Sequence, residues 1–176
     1  MFLYLTFCGY YWHLHGSAFS LFIYEHHNLM LLGATGCGKT YIACALGMAA
    51  ARQFLTVQYV RLPELLTELA ISRTTGTFSK TIDKYKKPAL LILDEWLLYQ
   101  LKDSEARDLL EIAEARYKKG SIIFCSQFDV PGWRDKIGSP IIADAICDRI
   151  VHDSYRIVIE CEESMRKVFG VDKADA

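Results

Sequence analysis

The chain has almost no net charge: 20 Lys and Arg against 21 Asp and Glu leave −1 at pH 7. Overall charge therefore gives no argument for nucleic-acid binding, and any such contact must come from a local basic cluster. Proline is scarce, with 4 in 176 residues. No repeat or low-complexity linker divides the chain, and this length suits one domain. A hydrophobic fraction of 52% with 23% charged residues excludes a disordered, collagen-like or supercharged chain. The six cysteines are Cys8, Cys37, Cys44, Cys125, Cys147 and Cys161. They contain no Cys-x-x-Cys pair, and no Cys/His cluster has zinc-finger spacing. Scattered in apolar surroundings, they read as reduced core residues of a cytoplasmic protein. Cys37 differs only in lying inside a glycine-rich loop, where it reads as a filler.

Residues 1–24 lack every Lys, Arg, Asp and Glu, yet hold nine of the 22 aromatic residues. Without a basic leading region they do not form a secretory signal. Gly9, His13, His15, Gly16, Ser17 and Ser20 interrupt the apolar run and argue against a membrane span. The segment reads as an irregular or truncated N-terminus, followed by one domain over 25–167 and a tail over 168–176. His13, His15, His26 and His27 lack the carboxylate or cysteine pattern of a metal site.

From Glu25 onwards the pattern becomes regular. Residues 28–32 form a short apolar run, predicting a buried strand. An alanine-rich stretch over 39–52 predicts a helix. Residues 56–60, 89–93, 121–126 and 156–160 predict further strands, and Pro63 suits the first turn of a helix over 64–72. A weaker helix ends before Pro88. Asp103 or Ser104 caps another, running to Lys119 with Gly120 beyond its end. Ser139 followed by Pro140 opens a helix through Val151. Apolar strands alternating with helices imply an α/β sandwich with a mostly parallel central sheet.

Gly33-Ala34-Thr35-Gly36-Cys37-Gly38-Lys39-Thr40 matches the phosphate-loop pattern G-x-x-x-x-G-K-[ST] without departure. The preceding strand and following helix are the context that this pattern requires. Glycines let phosphate oxygens approach bare backbone, and successive N–H groups form a nest for the anion. The helix opening at 38–39 adds its positive dipole end. Lys39 reaches the β and γ phosphates, and Thr40 offers a hydroxyl to Mg²⁺. The run over 90–93 then delivers Asp94 and Glu95 to the carboxyl edge of the sheet, where ligands bind in such folds. Asp94 is the candidate Mg²⁺ carboxylate, and Glu95 the candidate general base for water. A carboxylate beside the γ phosphate suits hydrolysis. A small-molecule kinase would need an arginine-rich lid, and no such segment is present.

From about Glu25 to about Lys167 the chain resembles the IstB-like helper ATPases of insertion-sequence transposition, relatives of the DnaC helicase loaders in the AAA+ class. The resemblance rests on NLMLLGATGCGKTYIACALG, VRLPELLTELA, LLILDEW, EARDLLEIAEARY, IIFCSQF and IGSPIIADAICDRIVHDSYRI, in that order. It implies an AAA+ P-loop NTPase fold, here with the helical lid largely absent. It implies ATP and Mg²⁺ as cofactors, ATP hydrolysis and a homo-oligomer on duplex DNA. The implied partner is a transposase or, for a DnaC-like loader, a replicative helicase. A nucleotide-binding scaffold without turnover is the remaining alternative. Gln127 matches the sensor-1 position, with Ser126 as the neighbour confusable with it. Arg149 matches the arginine finger that acts on the next subunit; the plain alternative is a salt bridge to Asp148 or Asp153. Residues 61–87 carry six basic and three acidic side chains. The resemblance implies that this segment faces DNA, with Arg73, Lys80, Lys84, Lys86 and Lys87 on phosphates and Phe78, at a loop tip, free to wedge or stack. The family's partner-binding N-terminal region is not recognisable in residues 1–20, and a sensor-2 arginine stays unassigned.

Overall fold

The computed structural model describes residues 21–161 and 163–168. The expectations for His13, His15 and Cys8, for residues 1–20 and for the tail beyond 168 lie outside the described residues. In chain order the elements are α1 (Leu21–Tyr24), β1 (Asn28–Leu32), α2 (Lys39–Arg52), β2 (Val57–Arg61), α3 (Leu62–Thr74) and α4 (Phe78–Lys86). They continue with β3 (Leu90–Asp94), α5 (Asp103–Arg116), β4 (Ser121–Ser126), α6 (Val130–Ile137), α7 (Pro140–Val151), β5 (Ser154–Val158) and α8 (Met165–Val168). Among the described residues no helix is long and apolar enough to cross a membrane.

The five strands pair in parallel, in the order β2-β3-β4-β1-β5. β1, β3 and β4 are buried along their whole length, which explains their unbroken apolar sequences. Successive side chains point to opposite faces. Leu29, Leu31, Leu90, Ile92, Ile123 and Cys125 enter one core with α1 and α2. Met30, Leu32, Leu91, Leu93, Ile122 and Phe124 enter the other, with α3 to α7. The result is a three-layer sandwich. Phe22 and Ile23 of α1 are buried in the first core.

Several expected boundaries move. β5 begins two residues before the expected start, and α5 ends at Arg116 instead of Lys119. The end of α5 is governed by Arg116 itself. Its guanidinium is buried and donates to the carbonyls of Tyr85, Lys86, Pro88, Ala89 and Ser121. Burial pulls its pKa down to about 10, so it remains charged at neutral pH. One side chain thus satisfies the backbone entering β3 and β4, which buried carbonyls require. Helix α6 was not expected. Asp129 caps it by accepting from the Gly132 N–H at 3.2 Å, with Pro131 in its first turn. That pattern is the signal by which it was findable.

Candidate functional site

The strand order builds the site. β4 lies between β1 and β3, so the loop after β1 and the acid at the end of β3 are two strands apart, roughly 10 Å. Helix α2 closes that gap. Gly38, at φ 87° and ψ 10°, is its N-cap in the left-handed region, where a side chain would be strained. The turn aims Thr40 across the sheet edge. Its Oγ1 donates to Asp94 Oδ2 at 2.9 Å. The two sequence motifs, 54 residues apart, therefore meet in one hydrogen bond.

Asp94 is buried and accepts from two further groups: the Tyr59 hydroxyl at 2.9 Å and the Glu95 N–H at 2.9 Å. Burial and the Asp94 carboxylate both push the Tyr59 hydroxyl well above its usual pKa, so it stays protonated as a donor. Tyr59 escaped the sequence reading because it lies on another strand, and only the β2–β3 pairing brings it there. Lys39 is buried, and its ammonium donates to the carbonyls of Gly33 and Ala34, both at 2.7 Å. Burial lowers its pKa, while Asp94 opposes that shift.

Glu95 adopts φ 55°, an uncommon conformation for a residue with a side chain, and Leu97 follows at φ 53°. This turn carries the chain off the end of β3 with Glu95 at the sheet edge. Its carboxylate pairs with Arg61 Nη2 at 2.6 Å. That bond raises the Arg61 pKa. Arg61 is the last residue of β2, directly before the α3–α4 segment.

The two neighbours at the end of β4 have different tasks. Ser126 is buried; its hydroxyl donates to the Trp96 carbonyl and accepts from the Phe128 N–H and Trp133 Nε1. It anchors the edge against Trp96, Phe124 and Trp133, whose rings pack edge-on or tilted. Gln127 is exposed and makes no side-chain hydrogen bond among the described residues.

Arg149 lies elsewhere. Its guanidinium bonds Glu114 of α5 at 3.0 Å and the Ala145 carbonyl at 2.7 Å. The expected alternative partners, Asp148 and Asp153, are not used, because α7 packs on α5 and turns Arg149 towards it. Arg149 borders a cleft with His26, Asn28 and Asp153. Asn28 begins β1, so Arg149 is at the amino edge, about 16 Å of strand away from its own phosphate loop.

The basic segment is largely paired within the chain. Lys84 bonds Glu68 at 3.0 Å, Lys86 bonds Glu111 at 2.6 Å and Lys87 bonds Asp83 at 2.6 Å. Arg73 pairs with Asp108 and stacks 3.8 Å above the Phe78 ring. Lys80 is exposed and has no ion pair among the described residues. The expected wedge at Phe78 is corrected: it opens α4, is half-buried and packs on the core. The expectation of reduced core cysteines is corrected as well. Cys37 and Cys161 are joined in a disulfide, and Cys44 is exposed; Cys125 and Cys147 are buried thiols. The pairing was illegible because 124 residues separate the partners. Parallel pairing of β1 with β5 brings both strand ends to one edge.

A bare-backbone loop, a buried lysine and a hydroxyl–carboxylate pair of hard oxygen donors fit a nucleotide triphosphate with Mg²⁺. Among known proteins, the chain is 43% identical over 142 residues to an insertion sequence ATP-binding protein of Sinorhizobium fredii. The match covers 81% of this chain and 58% of that relative, so the chain spans under three-fifths of its length. Its fold is that of the DnaC helicase loader, with a TM-score of 0.66 and 19% identity over 81% of this chain and 86% of that one. It is also that of the replication initiator DnaA bound to AMPPCP and single-stranded DNA, with a TM-score of 0.67 and 20% identity over 86% of this chain and 43% of that one. The chain therefore shares the α/β fold of these proteins. The IstB-like ATP binding protein family matches residues 14–170, and the chain belongs to that family.

Proposed function

We propose that this chain binds ATP with Mg²⁺ at residues 33–40, hydrolyses it, and assembles on duplex DNA as a helper of insertion-sequence transposition in the cytoplasm. The observation that carries the reading is the 2.9 Å contact between Thr40 and Asp94, which joins loop and acid into one oxygen-donor set. Thr40 and Asp94 would hold the ion, which when bound neutralises phosphate charge. The backbone N–H groups of residues 34–40 bind the phosphate oxygens. Lys39 exchanges its two carbonyl partners for the β and γ phosphates. Glu95 takes a proton from water once its carboxylate leaves Arg61, and Gln127 orients that water from the end of β4. Tyr59 holds Asp94 in place through Oδ2, the same oxygen that Thr40 reaches.

Arg149 supports an assembly. It sits at the opposite edge from its own loop, so it serves catalysis only from a neighbouring subunit, where its guanidinium offsets charge on the γ-phosphoryl oxygens. Arg149→Ala protein is expected to bind ATP as the native chain does and to lose turnover by roughly 10³-fold or more. Mixing it with Glu95→Gln protein should restore activity at hybrid interfaces, read as phosphate release against mixing ratio. A flat response across all ratios would refute action across an interface.

The basic segment supports the DNA contact. Lys84, Lys86 and Lys87 exchange exposed intramolecular carboxylates for phosphates, a swap that costs little because surface pairs are worth about 0–1 kcal/mol. Replacing all three with alanine should reduce the slope of log affinity against log salt by about 2–3. An unchanged slope removes them from the interface. Lys80 and Arg73 are the adjoining contacts.

The test of the whole reading is ATP turnover with and without duplex DNA over a range of protein concentrations. Turnover that rises with both supports it. No phosphate release under any condition leaves the nucleotide-binding scaffold. The likeness of fold to the DnaC helicase loader carries the second reading, loading of a replicative helicase. Capture of a purified helicase, and not of a transposase, would select it.

A further inference from the structure

The chain beyond β5 is tied to the phosphate loop at four points. The Ile159 N–H donates to the Leu32 carbonyl at 2.7 Å, continuing the sheet to the threshold of the loop. Cys161 is bonded to Cys37, with their Cα atoms 5.5 Å apart. The Met165 N–H donates to the Gly36 carbonyl at 2.9 Å. Ser164 lies so close to Gly36 that a Cβ there would be 2.1 Å from its Oγ. Residues 159–161 and 163–165 thus lie as a strap against the loop, and Gly33 and Gly36, where a Cβ would meet the Ile159 carbonyl and the Ser164 hydroxyl, admit it. In this strapped state Lys39 is folded onto the loop's own carbonyls at Gly33 and Ala34, not extended towards a ligand.

We propose that Cys37 and Cys161 are a reversible thiol modification site that governs nucleotide access. This rests on reading residues 33–40 as the triphosphate site. With the bond formed, the strap holds the loop closed on Lys39, and opening for phosphate is opposed. With the bond broken, two backbone hydrogen bonds remain, and the loop is free to rearrange. A loop that is competent for only a fraction of the time binds with an affinity reduced by that fraction. In a reducing compartment such a bond is transient and regulatory instead of structural.

The chemistry uses a hydroperoxide as oxidant. Cys37 lies two residues before α2, and the reacting form of its sulfur is the thiolate. The thiolate attacks one peroxide oxygen, the O–O bond breaks, a sulfenic acid forms, and the departing hydroxide takes up the proton that the thiol had shed and leaves as water. The Cys161 thiolate then attacks the Cys37 sulfur, the S–O bond breaks, and the hydroxide leaves as a second water with the proton that the Cys161 thiol had shed. The two sulfurs lose two electrons, and the peroxide gains them. A dithiol reductant reverses the bond by exchange and is itself oxidised to a disulfide.

The experiment uses the full chain, oxidised with hydrogen peroxide or reduced with dithiothreitol. Non-reducing peptide mapping reads the linkage, and titration with a fluorescent ATP analogue in Mg²⁺ reads affinity. The oxidised chain should yield a 37–161 cross-linked peptide and bind at least about tenfold more weakly than the reduced chain. Dithiothreitol should restore its affinity. Cys161→Ser protein should bind like the reduced chain in both conditions. A peptide map without that link, or one that pairs Cys44 or Cys8 instead, overturns the proposal. So does equal affinity of the mapped oxidised chain and the reduced chain, which leaves the nucleotide site itself standing. Absence of binding in every form, with the link mapped, overturns the nucleotide site and the proposal together.

Discussion

Lys39→Ala protein is expected to lose ATP binding by roughly 10²–10³-fold while keeping its fold. The ammonium is the only side-chain cation within the loop, and it is already buried beside the Asp94 carboxylate. A charge-assisted hydrogen bond contributes about 1.5–3 kcal/mol; at the lower end of that range two phosphate contacts give about 3–4 kcal/mol, or two to three decades in affinity. The cost to the fold is small by comparison. Lys39 is the first residue of α2, where alanine is an excellent helix former. The carbonyls of Gly33 and Ala34 that it leaves belong to a half-buried and an exposed residue, within reach of water. Nucleotide titration followed by thermal unfolding separates the two effects. Tight binding by the alanine protein would remove the phosphate-loop reading at its root.

Glu95→Gln protein is expected to behave oppositely: binding within about threefold of native, with turnover reduced by roughly 10²–10⁴-fold. The amide keeps the size of the carboxylate and still accepts from Arg61, so the 2.6 Å contact survives in neutral form. It cannot take a proton from water. Asp94 and its three donors are unaffected, because only the backbone N–H of residue 95 reaches that carboxylate. Single-turnover phosphate release is the measurement. A residual rate above about one tenth of native would show that another group handles the water, since a positioned base is worth at least two decades. Arg61 adds a second reading of the same experiment. Its bond holds the Glu95 carboxylate at the start of the α3–α4 segment, so a ligand on that segment is expected to alter the proposed base as well.

Much of the fold was legible because β1, β3 and β4 are covered on both faces, and continuous apolar runs such as residues 28–32 and 121–126 have few other uses. The edge strands were read less well. β5 lies mostly exposed, and its true start at Ser154 carries no apolar signal. Helix α6 carries a weak signal because it is short, holds Pro131 and Gly132 in its first turn and has three charged residues in a row, although Trp133 and Ile137 are buried. Within the candidate site, the loop and the Asp94–Glu95 pair were readable because each is a local pattern. Ser126 and Gln127 were not separable from sequence, since both are polar and adjacent. Packing against Trp133 buries the Ser126 hydroxyl and leaves Gln127 exposed.

By itself the sequence determined the chemical groups and their local geometry: a nest of N–H groups, one lysine, one hydroxyl and an acidic pair, each within a few residues of its element's end. Such features depend on φ and on capping, which neighbours in the chain control. The tertiary structure alone decided what those groups touch. It brought Tyr59 and Thr40 to Asp94, Arg61 to Glu95 and Cys161 to Cys37, and it put Arg149 at the far edge. The reason is the strand order, in which β4 is inserted between β1 and β3 and β5 is laid beside β1. Contacts between strand ends follow from lateral position in the sheet, which no interval along the chain encodes.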